Sequence, residues 1–159
     1  ETVLPKNSSV AVDYDIKLPS QVNVKQLGVM NGNISISGVE GTVKVETVNG
    51  SVRVENVAGT IETETVNGST SVNLVRLEGG EIKLTSVNGT IQLEIPEDSN
   101  ADVAIDTVNG DIRTDPSFNL TVRRSRIIGR QARGRIGRGG PSIKLDNVNG
   151  NITLTRPRP

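Results

Sequence analysis

Seven arginines, Arg123, Arg124, Arg126, Arg130, Arg133, Arg135 and Arg138, crowd one stretch and alternate with Gly129, Gly134, Gly137, Gly139 and Gly140. A guanidinium fork grips phosphate or carboxylate through two parallel hydrogen bonds, so this stretch is the candidate ligand site. Its ligand would be an acidic glycan or another anionic envelope component. The plainer reading is a solvated basic loop, which is what most charge runs are. No aromatic ring interleaves with the arginines, so a stacking platform for single-stranded nucleic acid is missing and nucleic acid is not expected.

Carboxylates are the other candidates. Glu46 and Glu64 stand 18 residues apart in one repeat column, and Asp13 lies two residues from Asp15. A glycoside-cleaving site needs two carboxyls across a cleft, one of them raised in pKa by burial. These acids fall on outward positions, where acids ordinarily solvate a face. Histidine and cysteine are both absent, which removes the commonest general base, the commonest metal ligand, and any disulfide or thiolate centre. No catalytic residue, metal ligand or cofactor is assigned, and a polysaccharide-degrading enzyme is the least expected of the functions.

Charge divides along the chain although it balances overall. Residues 1–118 carry 8 basic and 17 acidic residues, a net −9, and residues 119–159 carry 10 basic residues and Asp146, a net +9. Complementary ends favour a head-to-tail contact that does not close, so a self-assembling filament or surface-layer subunit is the alternative function.

The elements that hold these residues are set by a repeat. Asn-Gly recurs at Asn31-Gly32, Asn49-Gly50, Asn67-Gly68, Asn88-Gly89, Asn109-Gly110 and Asn149-Gly150, with spacings of 18, 18, 21, 21 and 40. The last interval reads as two rungs, with Ile127-Ile128-Gly129 in place of a degenerate corner. Four residues before each Asn stand Leu27, Val45, Thr63, Leu84, Ile105 and Leu145; three after it stand Ile34, Val52, Thr70, Ile91, Ile112 and Ile152. Each rung therefore holds two short strands of period 2 around a narrow core of branched aliphatics. Thr47, Thr65, Ser86 and Thr107 form a hydroxyl column two before each Asn, and strand alternation turns them inward, where they would pair with one another.

Asn-Gly is also the strongest short hairpin signal, so an antiparallel meander competes. A meander makes neighbouring strands complement each other, whereas here residue identity repeats at a full rung, as in Val48, Val66, Val87, Val108 and Val148. Identity in register is what coil-on-coil stacking produces, and it lets the Asn amides form a ladder. The expected fold is all-β: a single-stranded parallel β-helix, or β-solenoid, with rungs of about 18 to 21 residues. Residues 1–159 read as one domain: an N-terminal cap over 1–28, regular rungs over 29–118, a degenerate Arg/Gly-rich rung or loop over 119–141, and the last rung and C-terminal end over 142–159. Pro157 and Pro159 would stop propagation there.

Thr-Val-Asn-Gly-Ser-Val at 47–52, Ile95-Pro96 ahead of Asp106-Thr-Val-Asn-Gly-Asp-Ile-Arg113, and Ser142-Ile-Lys-Leu-Asp-Asn-Val-Asn-Gly-Asn-Ile152 resemble the bacterial adhesin-type β-strand-repeat family. The resemblance covers most of the chain and implies a right-handed β-helix of the cell surface, periplasm or extracellular space, exported by a signal that has been removed. It implies no catalytic residue. The expected function is a non-catalytic, adhesin-like binding module whose partner is a glycan, an anionic envelope component or another protein. No apolar run reaches the roughly 20 residues of a membrane span.

Overall fold

The computed structural model describes residues 14–17, 23–77, 79–124 and 128–157, with backbone alone for 14–17. Strands make up nearly all of it, and no α-helix is present among the described residues. The period-2 stretches before each corner become β2 (Val24–Asn31), β4 (Glu40–Asn49), the second half of β5 (Val52–Asn67), β7 (Ile82–Asn88), β9 (Ala101–Asn109) and β13 (Ser142–Asn149). Those after each corner become β3 (Ile34–Ser37), the first half of β5, β6 (Thr70–Arg76), β8 (Ile91–Glu94), β10 (Ile112–Thr114) and β14 (Ile152–Thr155), and β1 (Tyr14–Lys17), ahead of the first corner, joins this set by pairing with β3. Each set forms a ladder of parallel strands, joined edge to edge at the corners. The meander is thereby excluded.

Register follows residue identity. Val45 pairs with Thr63, Thr63 with Leu84 and Asn49 with Asn67, so equivalent side chains sit one strand spacing apart, roughly 4.8 Å. Facing columns such as Val45, Leu84, Ile105 and Leu145 against Ile34, Val52, Ile91 and Ile152 are fully buried. Each such side chain contributes about 1.5–3 kcal/mol on burial. The corners require glycine because the turns are stacked on one another. Gly68 has φ +152°, and a Cβ there would overlap the carbonyl oxygen of Gly50.

The order of rungs in space differs from their order in sequence. β13 lies between β7 and β9, parallel to both, with Leu145 paired to Leu84 on one side and to Ile105 on the other. β14 lies likewise between β8 and β10. The chain leaves β8, skips one level, builds β9 and β10, and then returns to fill the gap with its last rung.

The intervening segment is neither a loop nor a degenerate parallel rung. β11 (Thr121–Arg124) and β12 (Arg130–Ile136) form an antiparallel hairpin, and β12 runs antiparallel along β9. Ile128-Gly129 therefore belongs to the turn of this hairpin and not to a lost corner, and Ile127 lies outside the described residues. The hairpin closes the far end of the stack. Ala132 and Ile136 are buried there, and Leu120 packs over Gly134, where a Cβ would come within 2.7 Å of its Cδ2. Phe118, in a 3-10 turn over Pro116–Phe118, is buried beside them with the Arg156 guanidinium 5.3 Å from its ring centre.

The expected proline stop is thus corrected. Pro157 follows an interior rung, and Pro159 lies outside the described residues. At the near end β1 and β2 stack in parallel on β3 and β4, so parallel coiling begins before residue 29. Most of 1–22 lies outside the described residues.

Candidate binding face

The Asn corners form one continuous amide ladder. Asn49 donates to Asn31 at 2.9 Å, Asn67 to Asn49 at 2.9 Å, Asn88 to Asn67 at 3.0 Å, Asn149 to Asn88 at 2.9 Å and Asn109 to Asn149 at 2.9 Å. The hydroxyl column is buried as alternation dictates, but its members do not pair with one another. Thr65 Oγ1 meets Thr70 Oγ1 across the corner at 3.1 Å, Thr107 donates to the Gly150 carbonyl, and the hydroxyls of Thr47 and Ser86 have no partner.

Beside the ladder, on the outer surface, runs an aliphatic column. In spatial order it is Met30, Val48, Val66, Val87, Val148, Val108 and then Ile128 at the hairpin turn. The valines are 36–40 % exposed, Met30 73 % and Ile128 64 %. Two residues earlier on the same strands, and so on the same outer side, stand Gly28, Glu46, Glu64, Thr85, Asp146 and Asp106. Between the two columns lie contiguous hollows of about 370 and 270 Å³ that share Thr85 and Val87 in their lining. The charged residues of that lining are Glu46, Glu64, Asp106 and Asp146, and no lysine or arginine is among them. The trough is apolar on one wall and lined on the other by carboxylates, each ion-paired at 2.7–3.7 Å to a lysine or arginine outside the lining.

The cations lie one column further out. Lys44 is 3.4 Å from Glu62 and 3.7 Å from Glu46; Lys83 is 2.8 Å from Glu62 and 3.6 Å from Glu64; Lys144 is 3.4 Å from Asp146. Hydrogen bonding from Lys83 holds the Glu62 carboxyl below its ordinary value, with Lys44 assisting, and Glu62 in turn raises Lys83. Asp115 is also lowered, chiefly by the Ser117 hydroxyl, while it caps the 3-10 turn. Glu62 and Asp115 are shifted in the direction opposite to that of a general acid. Glu46 and Glu64 are adjacent members of one column and do not face each other across a cleft. Asp13 lies outside the described residues. Among the described residues no group of three or more His, Cys, Asp or Glu could hold a metal ion.

The arginines do not converge on one site. Arg133 pairs with Asp106 at 2.7 Å, Arg135 with Asp102 at 3.3 Å, and Arg130 with Asp111. Arg138 donates its backbone N–H to Asn100 at 2.7 Å, while its guanidinium has no ion pair among the described residues. Arg123 and Arg124 lie on β11, the outermost strand, exposed and without an ion pair among the described residues. Arg126 lies outside the described residues. Sequence reasoning assigned the valine column to the repeat alone and missed its exposure. The available signal was that position minus 1 alternates with the inward minus 2 and must therefore face out.

A laddered β-solenoid of mostly parallel strands with a trough on its outer face defines a repeat-type fold and no reaction. The chain belongs to the family described as Toastrack DUF4097, whose model matches residues 6–155. That match carries the β-rich repeat fold and leaves the adhesin label unsupported. No curated protein and no solved structure matches the chain. No helix among the described residues is long and apolar enough to cross a membrane.

Proposed function

We propose that this protein is a non-catalytic, adhesin-like binding module that works through the trough and not through the arginine stretch. The observation that carries the reading is the exposed aliphatic column, which spans the stack from Met30 to Ile128 beside a wall of carboxylates. Contiguous apolar surface on a monomer commonly marks an interaction site. A rigid ladder supports such a face well, since its side chains are ordered before any partner arrives and little entropy is lost on binding. The polarity of the lining favours a protein partner that offers aliphatic and cationic groups over an anionic glycan. Placement at the bacterial surface or in the periplasm is part of the same proposal and rests on the repeat motifs alone. The coil is taken as right-handed, the hand that twisted strands favour in parallel crossovers.

A second reading keeps anion binding at the hairpin, and it narrows to Arg123, Arg124 and Arg138, whose guanidiniums have no ion pair among the described residues. Labelled peptides of alternating Lys-Val and Glu-Val, titrated into wild type and Val66→Asp, separate the two. Saturable binding of the cationic peptide that Val66→Asp abolishes supports the trough. Binding of the acidic peptide alone, or of neither, contradicts it.

A further inference from the structure

The proposed binding face has a complement on the same molecule. On β11, Val122 and Arg124 are two residues apart and so share one side of the strand, and both are exposed. In the trough the valine and carboxylate columns are also two residues apart, as in Val66 and Glu64 on β5. Both intervals are therefore about 6.7 Å. One is aliphatic beside cation; the other is aliphatic beside anion.

We infer that the trough of one molecule receives the β11 hairpin of a second copy, Val122 on the Val48 and Val66 side chains and Arg124 between Glu46 and Glu64. This inference rests on the trough reading and names its partner. Charge decides the arrangement. Arg124 stands directly across from Arg130 within its own hairpin, and a symmetric hairpin-to-hairpin contact would crowd further guanidiniums together. A trough-to-trough contact would oppose carboxylates. The pairing that lowers the energy joins unlike surfaces, and a heterologous contact of that kind leaves one trough and one hairpin free at the ends of every oligomer that does not close into a ring. β11 also suits this role as the outermost strand, because its outer edge has no strand partner among the described residues.

The test uses sedimentation velocity of the full chain across a salt series, with Arg124→Glu and Glu64→Lys as single variants and as an equimolar mixture. Wild type is expected to associate with concentration at low salt and to dissociate as salt rises. Each variant alone is expected to associate at least tenfold more weakly. The mixture is expected to regain association, because the acidic hairpin of one variant meets the basic trough wall of the other; a folding defect would not be cured by mixing. A wild-type monomer at every salt concentration overturns the inference, as does association that both substitutions leave unchanged. If the monomer still binds the Lys-Val peptide through the trough, the trough reading stands and only the second-copy assignment fails.

Discussion

Asn149 donates its side-chain amide to Asn88, 61 residues earlier in the chain, at 2.9 Å. Asn109, which precedes Asn149 by one motif in sequence, lies beyond it and donates to it in turn. The C-terminal rung is therefore a wedge: β9, β10 and the hairpin are coupled to the body of the stack through residues that are made last. Mutations in the wedge should loosen both of its neighbours.

Leu145 is fully buried and pairs with Leu84 and Ile105. Leu145→Ala should cost about 2–5 kcal/mol, the usual range for a buried leucine that leaves a cavity. Hydrogen exchange should show faster opening of 82–88 and 101–109 together. Faster exchange confined to 142–149 would show that the rung is not a wedge.

Glycine at a corner is required by stacking, while glycine on the open strand is not. Gly68→Ala places a methyl against the Gly50 carbonyl at φ +152° and should destabilise by about 3 kcal/mol or more, through combined overlap and backbone strain. Gly28→Ala meets nothing within 4 Å and has no positive φ, so it should change stability by less than about 0.5 kcal/mol. Thermal or urea unfolding of the two variants checks the contrast.

The parallel stack was legible because identity at 18 to 21 residues specifies register directly. Val45, Thr63 and Leu84 sit on one another as the spacing requires. The wedge was not legible, because an interval of 40 equals two rungs whichever way the second is placed. The hairpin at 121–136 was hidden for a related reason: an antiparallel partner repeats no residue identity. That also concealed the site's electrostatics. Arg133 and Arg135 look free in sequence, and only reversal of β12 along β9 brings them to Asp106 and Asp102.

The amide ladder makes position matter for one residue type. Asn67 both donates to Asn49 and accepts from Asn88, whereas Asn109 donates to Asn149 and ends the ladder. At roughly 1 kcal/mol per hydrogen bond, Asn67→Ala should cost about twice as much as Asn109→Ala. Equal costs in chemical denaturation would argue against the ladder as a stabilising element.

Stability should depend on pH through Glu62 and Lys83. Glu62 is lowered from 4.5, so the folded chain binds fewer protons than the unfolded one between the two values. The pair's contribution is fully present above pH 4.5 and is lost as pH falls through the lowered value. Lys83 is raised above 10.5, so on the alkaline side the contribution persists below 10.5 and is lost as pH climbs through the raised value. Both side chains are partly exposed, which keeps the contribution under about 1 kcal/mol. Urea unfolding should show Glu62→Gln less stable than wild type at pH 7, with the gap closing as acid is added. A gap that widens in acid would reverse the sign.

The continuation of the trough from Thr85 to Asp146 and Asp106, and the place of the hairpin at the end of the stack, follow from β13 lying between β7 and β9. The chain has no cysteine, so engineered thiols report that order without interference. Thr85 and Asp146 are register partners, as are Asp146 and Asp106, which sets Thr85 and Asp106 two strand spacings apart, roughly 9.6 Å. A disulfide spans Cα separations up to about 6.8 Å. Under mild oxidation Thr85→Cys/Asp146→Cys is predicted to close within the native fold and Thr85→Cys/Asp106→Cys to stay reduced. Rapid closure of the second pair, with the first left open, would place β9 directly on β7 and contradict the account.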